Sequence, residues 1–372
     1  MNRTITAFAV MAASLLSSGC SSLGYYWQSV SGHVNIMNSA RPVSDILADA
    51  QTPEGLRERL EMSQRIRSFA VAALALPDNG SYHRYADLHR SAVVWNVVAA
   101  PPYSLKLKTW CFPVVGCVGY RGYFKEADAQ REAAHLKSEG LESSVYGVPA
   151  YSTLGWMNWA GGDPLLNTFI NYPEGELARL IFHELAHQVV YASGDTMFNE
   201  SFATTVERLG SRHWLDSQAS EAARKQYAAF DRRRQDFRAL ALATRRELAA
   251  TYGQDDSIND QRKEATAQVK PAPSATYLIA IEKSKALIMQ RFRDNYAGLK
   301  KNWGGFSGYD PWVAKANNAS FGAQAAYDEL VPGFEALFER EGRDWPRFYE
   351  AVRQLTKQSQ EERHLALKAG AR

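Results

Sequence analysis

The sequence is poor in cysteine, in charge of one sign and in long hydrophobic runs. Three cysteines in 372 residues are too few for a scaffold built on disulfides. No run of 18 or more apolar residues occurs, so a membrane-spanning helix is not expected. The 43 Lys and Arg nearly cancel the 40 Asp and Glu, leaving a net charge of +3. That balance implies no polyanionic partner, and nucleic acid is not expected to bind. Arg-rich stretches such as FDRRRQDFR (230–238) are interleaved with acids and spaced apolar residues, which is the pattern of a solvated helix face. No internal repeat is evident. What is present is an ordinary globular composition, 45% hydrophobic and 22% charged, long enough for one large domain or two modest ones.

The N-terminus, MNRTITAFAVMAASLLSSGC, carries one basic residue, Arg3, and then an uncharged, largely apolar run over 5–16. It closes in small residues before Cys20, the pattern of a secretory signal too short to span a membrane. LLSSGC resembles a bacterial lipobox, in which the cysteine becomes the lipidated first residue, although Ser17 stands where the pattern prefers Leu. Simple cleavage and a free periplasmic protein is the other reading. Export places the two other cysteines in an oxidising compartment. Cys111 and Cys117 have five residues between them, with Pro113 and Gly116 to turn the chain, so a local disulfide is expected. The pair could instead bind metal, but no His lies close to them in sequence.

The organisation expected is a signal over 1–20, a tether over 21–50 and a single domain over 51–372. A helix opens near Thr52 and Pro53 and stops at Pro77 and Gly80. Segment 127–140 reads as a helix ended by Gly140. LESSVYGVPAYSTLGW mixes β-branched and aromatic residues with glycines and reads as short strands. From 173 onward helices dominate: one from Pro173 to the stop at Gly194, one over roughly 196–209, and an Arg/Ala/Gln-rich region to about 250. The final residues, EERHLALKAGAR, read as a frayed tail. The fold expected is α+β, mainly helical, with a small sheet ahead of the helix that carries FHELAHQ.

That helix contains His-Glu-x-x-His. Residues i and i+4 lie one turn apart, so His183 and His187 can aim their rings at one point, with Glu184 about 100° around from His183. Two imidazoles can hold a metal there while the carboxylate serves as general base. Three fixed positions recur by chance, and a satisfied core network is the other reading. The next helix decides between them. In DTMFNESFATTVERLG, Phe198, Phe202, Val206 and Leu209 form one face, and Glu200, Ala203, Thr204 and Glu207 another. Glu200 stands 13 positions after His187, where it is either a third ligand or an acid favoured by the helix dipole.

HELAHQ followed by NESFA resembles the glutamate-type zincins, which pair His-Glu-x-x-His with an Asn-Glu-x-x-Ala/Ser helix. Thermolysin-like and aminopeptidase-N-like enzymes have a longer gap. A closer resemblance is to the bacterial "putative aminopeptidase" family of secreted lipoproteins. It is carried by the signal, WCFPVVGCVGYRGYF, AYSTLGW with DPLLNTF, FHELAHQVVY with FNESFAT, and NNA with YDELVPGFE. The resemblance implies a zincin-like fold holding one Zn²⁺ per chain on His183, His187 and Glu200, with Glu184 as general base. Thr204 stands where thermolysin-like relatives have an orienting Asp, so Glu207 becomes the substitute, with Asn199 a further neighbour of the ligands. Tyr327 is the candidate oxyanion donor, with Tyr191 and Tyr151 behind it. Ser152, Thr153, Leu154 and Gly155 fall in a candidate peptide-binding edge strand, or in a core strand. Asp163 is a turn residue or a group that recognises a substrate amine.

The function expected is a zinc metallopeptidase, an aminopeptidase before an endopeptidase, acting on peptide or protein substrates. A zinc-binding lipoprotein with a role in assembly is the alternative outside catalysis. The expected form is a monomer anchored through lipid on Cys20, facing the periplasm from the outer membrane.

Overall fold

The computed structural model describes residues 24–112, 116–150, 161–254, 274–324 and 330–371. The fold is α+β and mainly helical, with small sheets. A helix over 24–39, α1, opens the described chain. It is followed by β1 (Arg41–Pro42), α2 (Val43–Ala48) and α3 (Glu54–Leu74). The stretch read as a tether is therefore folded from residue 24 onward. Ile36 of α1, Ala40 ahead of β1, and Val43 and Ile46 of α2 are buried in the main core with Leu60 and Ile66 of α3.

β1 pairs with β2 (Arg84–Ala86), which pairs in parallel with β8 (Leu165–Leu166). The more substantial sheet centres on β3 (Val94–Ala100), flanked antiparallel by β6 (Arg121–Tyr123) and β7 (Glu142–Val148). β3 is buried throughout, and alternation along it explains why. Trp95, Val97 and Ala99 pack with Ala129 and Ala133 of α4 (Glu126–Ser138). Val98 and Ala100 pack with Ala319 of α10 (Asn318–Gln324). A strand covered on both faces reads as a continuous apolar run. β4 (Trp110–Phe112) and β5 (Gly116–Val118) form a hairpin in which Cys111 and Cys117 are opposite each other and joined as a disulfide.

α5 (Glu174–Ala186) packs along α6 (Thr196–Ser217), and α7 (Glu221–Thr251) along α8 (Ala275–Asn302). α5 ends short of the expected Gly194. The segment after it is tied down instead by Asn199, whose side chain accepts from Ala192 N and donates to Ala192 O, both at 2.8 Å. Phe198 and Phe202 of α6 meet Phe334 of α11 (Val331–Arg340), and Phe202 meets Phe348 of α12 (Trp345–Thr356). α9 (Asp310–Lys315) lies between α8 and α10 in the chain. The tail expected to fray is a helix, α13 (Gln360–Gly370), opened by a capping box between Ser359 and Glu362. His364 and Leu367 are buried beneath it, so packing and capping together hold this end. Among the described residues no helix is long and apolar enough to cross a membrane.

Candidate metal centre

α5 delivers His183 in its last turn, and His187 stands at the C-cap with helical backbone angles. Their Nε2 atoms face each other at 3.2 Å. The chain then turns at Gly194, with φ +77°, and Asp195 caps α6 by accepting from Phe198 N at 3.1 Å. The cap sets the start of α6 so that Glu200 meets both rings: Oε2 is 3.4 Å from His183 Nε2 and Oε1 is 3.8 Å from His187 Nε2. Ligand atoms of His183, His187 and Glu200 all lie within 4.8 Å of one another and could hold a metal ion.

The residues fit such an ion on two grounds. Tetrahedral zinc with bonds of about 2.0–2.1 Å separates its ligand atoms by roughly 3.3–3.4 Å, close to the spacings found. Moreover, two imidazole nitrogens and a carboxylate turned toward one point are a donor set that a cation, or failing that a proton on His183, holds together. Glu207 decides which nitrogen of His183 faces that point. Its Oε2 accepts from His183 Nδ1 at 2.9 Å, and its Oε1 accepts from Arg179 Nη2 at 2.5 Å. With the neutral ring donating through Nδ1, the lone pair is left on Nε2. Glu176 continues the chain of charges, 3.7 Å from Arg179 and paired through both oxygens with Arg234 of α7 at 2.8 and 3.0 Å.

Without a metal, protons settle as this charge pattern dictates. Burial pushes His183 down, but Glu200 and Glu207 outweigh it and hold the ring well above the ordinary histidine value. Burial and the neighbouring His183 push His187 down to about 4. Burial would raise Glu207, yet Arg179 and His183 bring it to about 2, so it stays ionised. Burial raises Glu184 to about 7, assisted by the charges of Glu200, Asp163 and Glu207. A carboxylate poised there can both take and return a proton near neutral pH.

Several groups around the cluster come from distant parts of the chain. Burial raises the hydroxyls of Tyr120, Tyr146 and Tyr191, and each also feels the charge of Glu200. Tyr191 is one of the expected oxyanion candidates, whereas Tyr120 and Tyr146 carry no sequence signal, since β5–β6 and β7 bring them in. Arg179 had one, because it lies one turn before His183 on the same helix. Asn199 turns toward Ala192 and pins the connection between α5 and α6. Asp163 is buried, with Oδ2 3.5 Å from Gln188 Nε2. Tyr327, Tyr151, Ser152, Thr153, Leu154, Gly155 and Cys20 lie outside the described residues.

The hairpin leans on the turn that joins the two metal-facing helices. A Cβ placed on Gly116 would stand 3.1 Å from Gly194 Cα and 3.2 Å from Gly194 N. Both glycines have φ of +77°, which only glycine adopts without penalty. Cys111–Cys117 therefore braces the connection between His187 and Glu200.

No curated protein and no solved structure matches the chain. A family model described as "Putative aminopeptidase" matches residues 24–367, from α1 to α13. A match over that length, with the His-Glu-x-x-His helix and Glu200 inside it, means that the chain belongs to the "Putative aminopeptidase" family.

Proposed function

We propose that the protein is a zinc-dependent aminopeptidase of the bacterial cell envelope, anchored by lipid on Cys20. The observation that carries the proposal is the convergence of His183 Nε2, His187 Nε2 and Glu200 on one point, with Glu207 fixing the ring of His183. When bound, zinc supplies Lewis acidity, polarising a peptide carbonyl and making water acidic enough to attack at neutral pH. Glu184 accepts the proton of the attacking water and returns it to the leaving amine. Glu207 and Arg179 keep His183 in one tautomer and orientation throughout. Tyr120, Tyr146 and Tyr191, each of which feels the charge of Glu200, are the candidates to donate to the oxygen on which charge develops. Asp163, buried beside Gln188, adds its charge to those that keep the Glu184 carboxyl high. Membership of the "Putative aminopeptidase" family is what favours removal of N-terminal residues over internal cleavage.

The test compares the protein with Glu184→Gln on peptides having free or acetylated N-termini. The expected outcome is equal zinc content and a fall in kcat of about 10²–10⁴-fold, with acetylated peptides left uncut. Equal cleavage by both proteins would remove the catalytic role of Glu184. Cleavage of acetylated peptides would identify an endopeptidase.

A further inference from the structure

α1 presents a bare apolar face. Among the described residues nine large hydrophobic side chains are exposed, and four of them, Tyr26, Trp27, Val30 and Val34, lie on this one helix. Trp27, Val30 and Val34 are spaced as one stripe, with Trp27 73% and Val30 59% exposed. The opposite face is docked on the sheet region. Tyr25 stacks on Phe112 at 5.5 Å under the Arg121 guanidinium, Gln28 accepts from Phe124 N at 3.1 Å, and Gly32 lies against the Phe124 ring. The stripe is therefore fixed outward by packing.

We propose that this face beds into the lipid interface of the membrane that carries the protein. Residues 24–39 contain no Asp, Glu, Lys or Arg, so bringing the stripe among lipid headgroups strips water from no charged side chain. The aromatic residues Tyr26 and Trp27 occupy the end nearest Cys20, and amphipathic rings favour the membrane–water boundary. The inference rests on the lipoprotein reading above, and reach supports it: Gly24 is four chain steps from Cys20, a span of at most about 14 Å. A lipid on Cys20 thus holds the first turn of α1 at the bilayer surface, where burying Trp27, Val30 and Val34 adds to the hold of the acyl chains. Because Tyr25 and Gln28 fix α1 to Phe112 and β6, and Gly116 touches Gly194, the seated helix also sets how the metal centre faces the membrane.

The experiment uses acylated full-length protein in phosphatidylethanolamine/phosphatidylglycerol vesicles. An environment-sensitive fluorophore is placed on Val30→Cys and, as a control, on Lys357→Cys beyond α12. The expected result is a shift to shorter wavelength at position 30 alone, equally in low and high salt, because contact through uncharged groups is not screened. Water-like emission at position 30 on vesicles would overturn the proposal. So would a shift that grows with protein concentration in the absence of lipid, which would assign the face to a second copy of the chain. The mass of the N-terminal peptide reports the acyl chains separately, so failure of the anchor and failure of the docking face are told apart.

Discussion

His183 is gripped from both sides, with Nδ1 on Glu207 and Nε2 toward His187 and Glu200. Glu207 does not face the metal position itself; it acts by orienting the ring and by choosing its tautomer. Replacing it with glutamine makes the partner of Nδ1 ambiguous, since the amide can donate as well as accept. It also leaves Arg179 without its closest carboxylate. Glu207→Gln is expected to weaken zinc binding about 10- to 100-fold. A competition titration against a chromogenic chelator measures this, and unchanged affinity would reduce Glu207 to a core ion pair. Gly175 lies at the other end of α5, against Tyr227, so the helix is held along its length while its last turn presents the histidines.

Between residue and molecule stands the contact of the disulfide hairpin with the turn from α5 to α6. Gly116→Ala forces a methyl group to within 3.1 Å of the Gly194 backbone and places alanine in the left-handed region. Gly140→Ala, at the end of α4, shares the conformation with φ +83° but meets nothing within 4 Å. Each substitution is expected to cost roughly 1–2 kcal/mol of stability from backbone conformation. Only Gly116→Ala should also weaken zinc binding, because only there does the added carbon push on the segment joining His187 to Glu200. Equal affinities in the two variants, measured alongside denaturant midpoints, would separate the hairpin from the metal centre.

Over the whole molecule, the far end of the chain closes onto the start of α6. Asp195 is buried and accepts from Arg363 Nε at 2.7 Å and from His364 Nε2 at 2.9 Å, both on α13, while capping the helix that carries Glu200. Burial would raise the Asp195 carboxyl, but His364 and Arg363 hold it below its ordinary value of 3.8. A carboxyl with a lower pKa folded than unfolded adds stability above that ordinary value, and the contribution is lost as pH falls through the folded one. Asp195→Asn leaves Arg363 buried without its countercharge. In metal-free protein it is expected to cost about 3–5 kcal/mol at neutral pH. The difference from the natural protein should shrink as pH falls below that ordinary value and Asp195 itself takes up a proton. Urea unfolding across pH checks this, and a difference that stays constant would show that the charge of Asp195 is not what holds α13.

Much of this was legible in the sequence because it depends on local spacing. The four-residue step from His183 to His187, the acids opening α5, the apolar face of Phe198, Phe202 and Val206, and the turn between Cys111 and Cys117 are each fixed within a few residues. Period and turn chemistry therefore sufficed to expect a mainly helical α+β fold, two helices around His-Glu-x-x-His, and a local disulfide. Other features were decided only when distant segments packed. Tyr120 and Tyr146, from the sheet region, feel the charge of Glu200, and Arg363 pairs with Asp195 across 168 positions. Ile36 and Val43 turned a supposed tether into core, and Ser359 with His364 turned a supposed frayed tail into a helix. A side chain's periodicity tells which face it occupies, but its partner across the core is chosen by burial: a polar group taken out of water keeps the fold stable only where a complementary one meets it. That choice belongs to the tertiary structure alone.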